Sequence, residues 1–402
     1  MSKWQQVKLN DIVYIKTGKL DSNAAEANGI YPFFTCDPQT LRINSWAYDQ
    51  EAVLLAGNNA SGNYTAKYYN GKFNAYQRTY IICSKNENNL STRFFAYALN
   101  LNLQYLKTIS SGATTKFLTL SMLNNLSIPL PPIEVQRKIA DVLSAYDDLI
   151  ENNRKQIKLL EEAAQRLYKE WFIDLRFSGH ENTPITDGIP EGWERKKLCD
   201  IIEYEIGGGW GSDSPTNTED EAGYVIRGTD INGITNGDIS TIPFRYHVKS
   251  NLSSRMLIHG DIIFEVSGGS RTEGVGKTLL VTDQLLSRFY APVICASFCK
   301  LIRLNNSDLS YYLAVSLKHW REIGRIGEFE KKSASSIINY RWKDFLNQQK
   351  VLIPSEKIIE KYNDIEMSIY NKIITFSIMI EEARLTRDRL LPKLITGELE
   401  VK

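Results

Sequence analysis

Residues 267–278, "SGGSRTEGVGKT", close on Gly276-Lys277-Thr278, the tail of a phosphate-cradling loop. Such a loop needs glycine five positions before its Gly-Lys pair, and Arg271 stands there instead, so the stretch reads as a polar β-loop. "CDPQT" carries Asp37 and Pro38 of the tetrapeptide with which amino-methyltransferases hold a flipped base. Gln39 replaces the second proline, and the Asp-Pro pair is a turn signal. The four histidines, His180, His247, His259 and His319, neighbour no nucleophile motif, so triad catalysis has no support. Cys36, Cys83, Cys199, Cys295 and Cys299 are odd in number and scattered, which suits reduced thiols better than a disulfide framework. No C-x-x-C pair or His cluster accompanies them, so the ligand set of a metal site is lacking. The expectation is a chain with no catalytic group and no metal.

If the residues do not react, they must position. A chain of 402 residues is long enough for two or three domains. Its 43% apolar content, with 11% aromatic residues, supports real cores. The net charge of +1 hides an asymmetry: residues 1–130 hold twelve Lys/Arg against seven Asp/Glu, whereas residues 180–350 hold twenty against twenty-two. "MSKWQQVKLND" lacks the apolar core of a signal peptide, and no 18-residue apolar run occurs. Cytoplasmic localisation and no membrane contact are expected.

The chain begins twice. "SKWQQVKLNDI" and "EGWERKKLCDI" align on Trp4 and Trp193 and share Lys8/Lys197, Leu9/Leu198, Asp11/Asp200 and Ile12/Ile201. A period near 190 residues means two copies of a whole module rather than a solenoid. Each copy has short β-like runs. In the first they are "IYPFFTC", "EAVLLAG" and "RTYIICS", with "NNASGN" and "YNGKF" as connections; in the second they are "GYVIRG", "GDIIFEVSGG", "GKTLLVTD" and "CASFCKLIRL", with "NGITNGD" as a turn. Aromatic-rich helical stretches come next, "TRFFAYALNLNLQYLKTI" and "LSYYLAVSLKHWREIG". Both copies end on a strand and proline, "LSIPLPP" and "QKVLIP".

After each proline comes a long stripe. Ile139, Leu143, Tyr146, Ile150, Asn153, Ile157, Leu160, Ala164, Leu167 and Trp171 alternate steps of four and three, the period of a coiled-coil seam. A less regular stripe carries Ile358, Tyr362, Ile365, Ile369, Ile373, Phe376, Ile380, Ala383, Leu390 and Leu394, with Arg387 within it. Helices of about 38 residues would reach roughly 57 Å. Stripes too long for one small domain to cover, recurring in both copies, predict an antiparallel pair with a module at each end. Asn153 would then help set the register.

Four stretches carry a resemblance: "IPLPPIEVQRKIADVLSAYDDLIENN" (128–153), "LLEEAAQRLYKEWFIDLRFSG" (159–179), "GIPEGWERKKLCDI" (188–201) and "RDRLLPKLITGELEV" (387–401). Together they resemble the specificity subunit of type I restriction–modification systems. One departure is "LIPSEKIIEKYN", where a second Pro-Pro…Gln signature would stand. The resemblance implies an α+β chain: two mixed α/β target recognition domains, at 1–132 and 178–354, joined by two long antiparallel coiled-coil helices, at 133–177 and 355–402, as a pseudo-twofold internal repeat. It implies a non-catalytic DNA-recognition subunit reading a split asymmetric site on double-stranded DNA. Two methyltransferase subunits would dock for adenine methylation, and motor–endonuclease subunits would add restriction. S-adenosylmethionine, Mg and ATP would sit on those partners, with no cofactor on this chain. A coiled-coil adaptor without DNA specificity is the alternative.

On that reading, base edges call for Arg, Lys, Asn, Gln, Ser or Thr on loops of a rigid scaffold. The first module offers Asn58, Asn59, Ser61, Asn63 and Lys67, then Thr114, Thr115 and Lys116. In the second, the candidates are Trp210, Ser212, Ser267, Ser270, Arg271, Lys277, Lys331, Lys332 and Ser333. Asn153 belongs to the spacer, while Tyr168, Trp171, Phe172 and Leu391 are candidates for partner docking. If the helices act as a ruler, four residues inserted into "ENNRKQIK" add about 6 Å of helix and lengthen the gap between half-sites by a base pair or two. Sequencing the methylated sites of such a variant checks this; an unchanged gap removes the ruler.

Overall fold

The first strand of each module pairs with its last. Gln6–Lys8 runs antiparallel to Ser127–Pro129, with Val7 opposite Ile128. Glu194–Lys197 likewise runs antiparallel to Lys350–Ile353, with Lys196 opposite Val351. A one-turn helix succeeds each first strand, Leu9–Ile12 and Leu198–Ile201, and its first leucine is buried. The Leu9 amide donates to the Leu126 carbonyl at 2.8 Å, and the Leu198 amide to that of Gln349 at 3.0 Å. The residues shared by the two sequence starts are therefore those that build this corner. The computed structural model describes residues 3–60, 62–112, 115–268, 274–331 and 338–401, with the backbone of Lys332. The chain divides into two units, Met1–Leu149 with Ala383–Lys402, and Ile150–Glu382.

In the first unit six strands lie in the order Val13–Thr17, Thr79–Ser84, Tyr48–Ala56, Ala66–Ala75, Tyr31–Phe34 and Leu41–Ile43. "YNGKF", expected as a connection, lies inside the strand Ala66–Ala75. Gly71, opposite Gln50, takes a φ of +130° there without breaking the ladder. One sheet face carries Val13, Val53, Leu55 and Ile82 into a core with Phe94, Phe95 and Leu99 of the helix Thr92–Leu101. Leu394 and Ile395, from the far end of the chain, complete it. The expected single helix breaks at Asn102, whose side-chain amide donates to the Ala98 carbonyl at 2.8 Å, and resumes at Leu103–Ile109.

The second unit has a four-stranded sheet, Ile202–Gly207, Cys299–Leu304, Ile262–Glu265 and Thr278–Leu280, and two of three strands. One of these orders Phe244–His247, Glu221–Ile226 and Val293–Cys295; the other orders Ser267–Gly268, Ile338–Tyr340 and Glu330–Lys332. "NGITNGD", expected as a turn, is mostly the helix Ile231–Thr235. Arg227 and Asp230 pin its entrance through paired hydrogen bonds of 2.9 and 2.7 Å, overriding the local turn chemistry.

Two helices far exceed the usual length: Ile133–Tyr168, continued by a wider turn at Lys169–Ile173, and Glu356–Thr396. Each contributes one stretch to each unit. The first keeps its expected stripe, with Ile139, Leu143, Ile150, Asn153, Ile157, Ala164 and Trp171 all buried. Without the Pro-Pro…Gln signature, the second still starts at Glu356, where the Ser355 carbonyl receives the amides of Ile358 and Ile359. Its stripe differs from expectation. Ile365 is 42% exposed, while Glu366 and Ser377 are buried in place of Ile365 and Phe376. Counting only apolar residues passes over polar ones that share the buried face. Arg387 proves to be ion-paired with Asp147, which also accepts from the Tyr97 hydroxyl.

Glu366 lines a cavity of about 90 Å³ with Gln165, Lys318 and Tyr370. Burial pushes its carboxyl from 4.5 up to about 7, against the pull of the Lys318 charge and of the neighbouring Tyr362 hydroxyl. An acid held above its unfolded value keeps its proton while the unfolded chain releases it. Stability from this group is thus full below 4.5 and lost as pH rises to about 7. At roughly 1.4 kcal/mol per pH unit, the loss is about 3 kcal/mol. Glu366→Gln should flatten this slope in urea unfolding followed between about pH 4 and pH 9 and stabilise the protein at the alkaline end. Parallel slopes in both proteins would remove Glu366 from the account.

Candidate nucleic-acid interface

In the first unit two of the candidate loops meet. Asn58–Asn59 forms a short ladder with Lys116–Phe117, setting Asn58 opposite Phe117 and Asn59 opposite Lys116. Asn63 joins them, its amide donating to Asn59 Oδ1 at 3.2 Å while its own Oδ1 accepts from Lys107 Nζ at 2.7 Å. Thr115 is exposed beside them. Lys67 is placed differently. Its ammonium donates to the Asp37 carbonyl and to Thr40 Oγ1 at 3.3 and 3.1 Å, and burial pulls its pKa below the usual lysine value. Ser61 and Thr114 lie outside the described residues.

Sequence reasoning missed another set on the same unit. Lys85 lies over the Tyr14 ring at 5.5 Å, Lys16 over Tyr48 at 4.8 Å, and Lys72 over Trp46 at 4.6 Å. Tyr14 is 64% and Trp46 44% exposed, and Lys16 also donates to Gln50 Oε1 at 3.4 Å. Lys85 also donates to the Asn10 carbonyl at 2.5 Å; cations set over partly exposed rings suit a phosphate grip. The signal was present in Tyr14-x-Lys16, where period two puts alternate residues on one face of the strand Val13–Thr17.

In the second unit the candidates are spread over all three larger sheets. Ser267 and Lys331 share one: Ser267 pairs with Asn339 across the central strand, and Lys331 pairs with the same Asn339 from the other side. Ser267 Oγ donates to the Ile338 carbonyl at 3.1 Å. Ser270, Arg271 and Ser333, which connect to these strands, lie outside the described residues, as does the Lys332 side chain. Lys277 leads into the strand Thr278–Leu280, not into a helix, so the Gly-Lys-Thr run lacks the helix N-terminus of a phosphate loop. Gly276 has a packing reason instead: φ is +88°, and a Cβ would stand 2.5 Å from Ile326 Cγ2.

Trp210 and Ser212 belong to the other three-stranded sheet. Ser212 bridges Tyr246, and the Arg245 guanidinium lies 4.5 Å from the Trp210 ring centroid while pairing with Asp213. On the long helices, Tyr168, Trp171 and Phe172 are buried among Trp193, Tyr312 and Tyr362. They form core in their own unit. Leu391 packs against the core of the first unit, and Asn153 is buried with its Nδ2 unpartnered. Burial raises the Cys295 thiol to about 12, which keeps it protonated and inert. Among the described residues no group of three or more His, Cys, Asp or Glu could hold a metal ion, and no helix is long and apolar enough to cross a membrane.

The family model for the type I restriction modification DNA specificity domain matches residues 1–162. The EcoDI specificity subunit of Escherichia coli is 37% identical over 163 residues, 40% of this chain and 35% of that protein. The MjaIX specificity subunit of Methanocaldococcus jannaschii is 29% identical over 315 residues, 77% of this chain and 69% of that protein. A crystal structure of the type I S subunit from M. genitalium shares the fold, at a TM-score of 0.62 and 14% identity, over 98% of this chain and 96% of that one. Residues 1–162 thus match the type I specificity domain, and the chain is similar to type I restriction–modification specificity subunits over most of its length.

Proposed function

We propose that this chain reads a split, asymmetric sequence on double-stranded DNA, one half-site per unit, for a type I restriction–modification complex. Residues 1–132 and 178–354 act as the recognition domains, and the helical segments 133–177 and 355–402 serve as spacer and docking surface for two methyltransferase subunits. Those partners supply S-adenosylmethionine and methylate adenine; motor–endonuclease subunits supply the ATP- and Mg-dependent cleavage.

The observation that carries the reading is unlike surfaces on a like frame. The corner at Leu9 and the corner at Leu198 are built the same way, yet the first unit presents an aromatic–lysine row and the second a tryptophan–arginine stack. A palindromic site would need no such difference. The charge asymmetry fits as well: the basic first module takes more of the phosphate grip, and the weakly acidic second relies more on base contacts and on its partners.

Mapping adenine methylation in the host genome with this gene intact and deleted tests the proposal. A split motif that vanishes on deletion is expected; unchanged methylation overturns it. In filter binding, the chain alone should hold DNA weakly and salt-sensitively, with affinity rising when methyltransferase subunits are added. Replacing Lys16, Lys72 and Lys85 together with alanine should weaken binding about equally for all sequences and lower the salt slope by about one per lost phosphate contact. An unchanged slope takes the row out of the interface.

A further inference from the structure

The second unit holds a pocket apart from its sequence-derived serine and lysine candidates. It has a volume of about 80 Å³ and is lined by Gly209, Trp210, Glu219, His247, Asn251 and Arg255. A water needs roughly 10–15 Å³ of such space, so several water-sized groups fit, about the bulk of one six-membered ring. His247 is 2% exposed, and its Nε2 is buried without a hydrogen-bond partner. That atom lacks the partner that buried polar groups normally have. Arg255 is already held, its Nε donating to the Gly207 carbonyl at 2.9 Å and its Nη1 to Asn251 Oδ1 at 3.3 Å.

Charge narrows the ligand. Burial lowers the His247 pKa, and of the charged groups around it Glu219 opposes that shift while Arg245 and Arg255 reinforce it. Arg245 is neutralised by Asp213. One guanidinium, one carboxylate and a neutral imidazole leave the pocket without net charge. A phosphate would meet Glu219 with no surplus cation. A neutral planar ring with donors and acceptors along one edge matches all three groups, and the Trp210 indole, 39% exposed with Arg245 over one face, stands at the rim.

The geometry points to a nucleobase site: this pocket takes the ring of one unpaired base, against Trp210, with its edge bonded by His247, Asn251 and Glu219. The assignment rests on the DNA-reading function proposed above and names what the second unit recognises. This unit therefore requires one base of its half-site to leave the stack, at the cost of its pairing and stacking.

Free nucleosides are the probes, added to the full chain while tryptophan emission is followed and the Trp210→Phe variant is subtracted. At least one of adenosine, guanosine, cytidine and thymidine should quench Trp210 saturably, with a dissociation constant on the order of millimolar. Asn251→Ala should weaken this about tenfold by removing an edge contact. Gly209→Val should abolish it, since a Cβ there would already stand 3.3 Å from Ile294 Cδ1 and 3.5 Å from Arg255 Cδ. Inorganic phosphate should leave the emission unchanged. Quenching by phosphate, no Trp210-dependent quenching by any nucleoside, or parental affinity in both variants overturns the assignment. Filter binding on the same proteins separates the two claims. A chain that binds DNA but no nucleoside keeps the reading function and loses the pocket, and one that binds nucleosides but no DNA does the reverse.

Discussion

Antiparallel pairing between a module's first and last strands is the constraint on which the other elements depend. It closes a long loop in each case, Gln6–Lys8 against Ser127–Pro129 and Glu194–Lys197 against Lys350–Ile353. Because closure entropy grows only slowly with loop length, the intervening chain can vary without loosening the frame. Closure also sets the direction in which the chain leaves the module. In the first unit, Pro131 and Pro132 lead straight into the long helix, and the buried Gln136 locks its start. The Gln136 side chain accepts from the Ser91 amide at 2.9 Å and donates to the Asn89 and Pro131 carbonyls at 2.8 Å. Ser91 caps the helix Thr92–Leu101, so one glutamine ties the sheet-covering helix to the spacer.

Features repeated in sequence were legible because repetition reports a shared physical requirement. The corner residues and the first long stripe are in this group: a buried leucine and a period near 3.5 allow few other readings. The second stripe was legible only in part. Glu366 and Ser377 lie in its buried face, and no count of apolar residues finds a carboxyl that stays inside by holding its proton. "YNGKF" and "NGITNGD" misled for a related reason. Local turn chemistry yields to strand pairing at Gly71 and to the Arg227–Asp230 clamp.

The candidate interface was less legible than the frame, since reading surfaces are assembled from residues distant in sequence. Asn59 and Lys116 meet through a ladder that no local pattern announces. Lys67 looked like a free cation and is held by Asp37 and Thr40. The Lys16–Tyr48 and Lys72–Trp46 pairs join residues distant in sequence, and His247 stands out because one buried nitrogen lacks a hydrogen-bond partner. Polar loops rich in Asn, Ser and Gly are also ordinary turns, so residue type alone could not rank them.

The division of the chain has a consequence for its synthesis. The second unit is one continuous segment, Ile150–Glu382, whereas the first needs Ala383–Lys402 to complete it. Leu394 and Ile395 sit in its core, and the Lys3 amide donates to the Thr396 carbonyl at 2.8 Å. At about 5–20 residues per second, residues 150–402 take on the order of ten to fifty seconds to emerge. The part made first is therefore the part finished last. During that interval Leu143 and the helix Thr92–Leu101 wait with one side of their core open, the kind of exposed apolar surface that makes incomplete domains prone to aggregate.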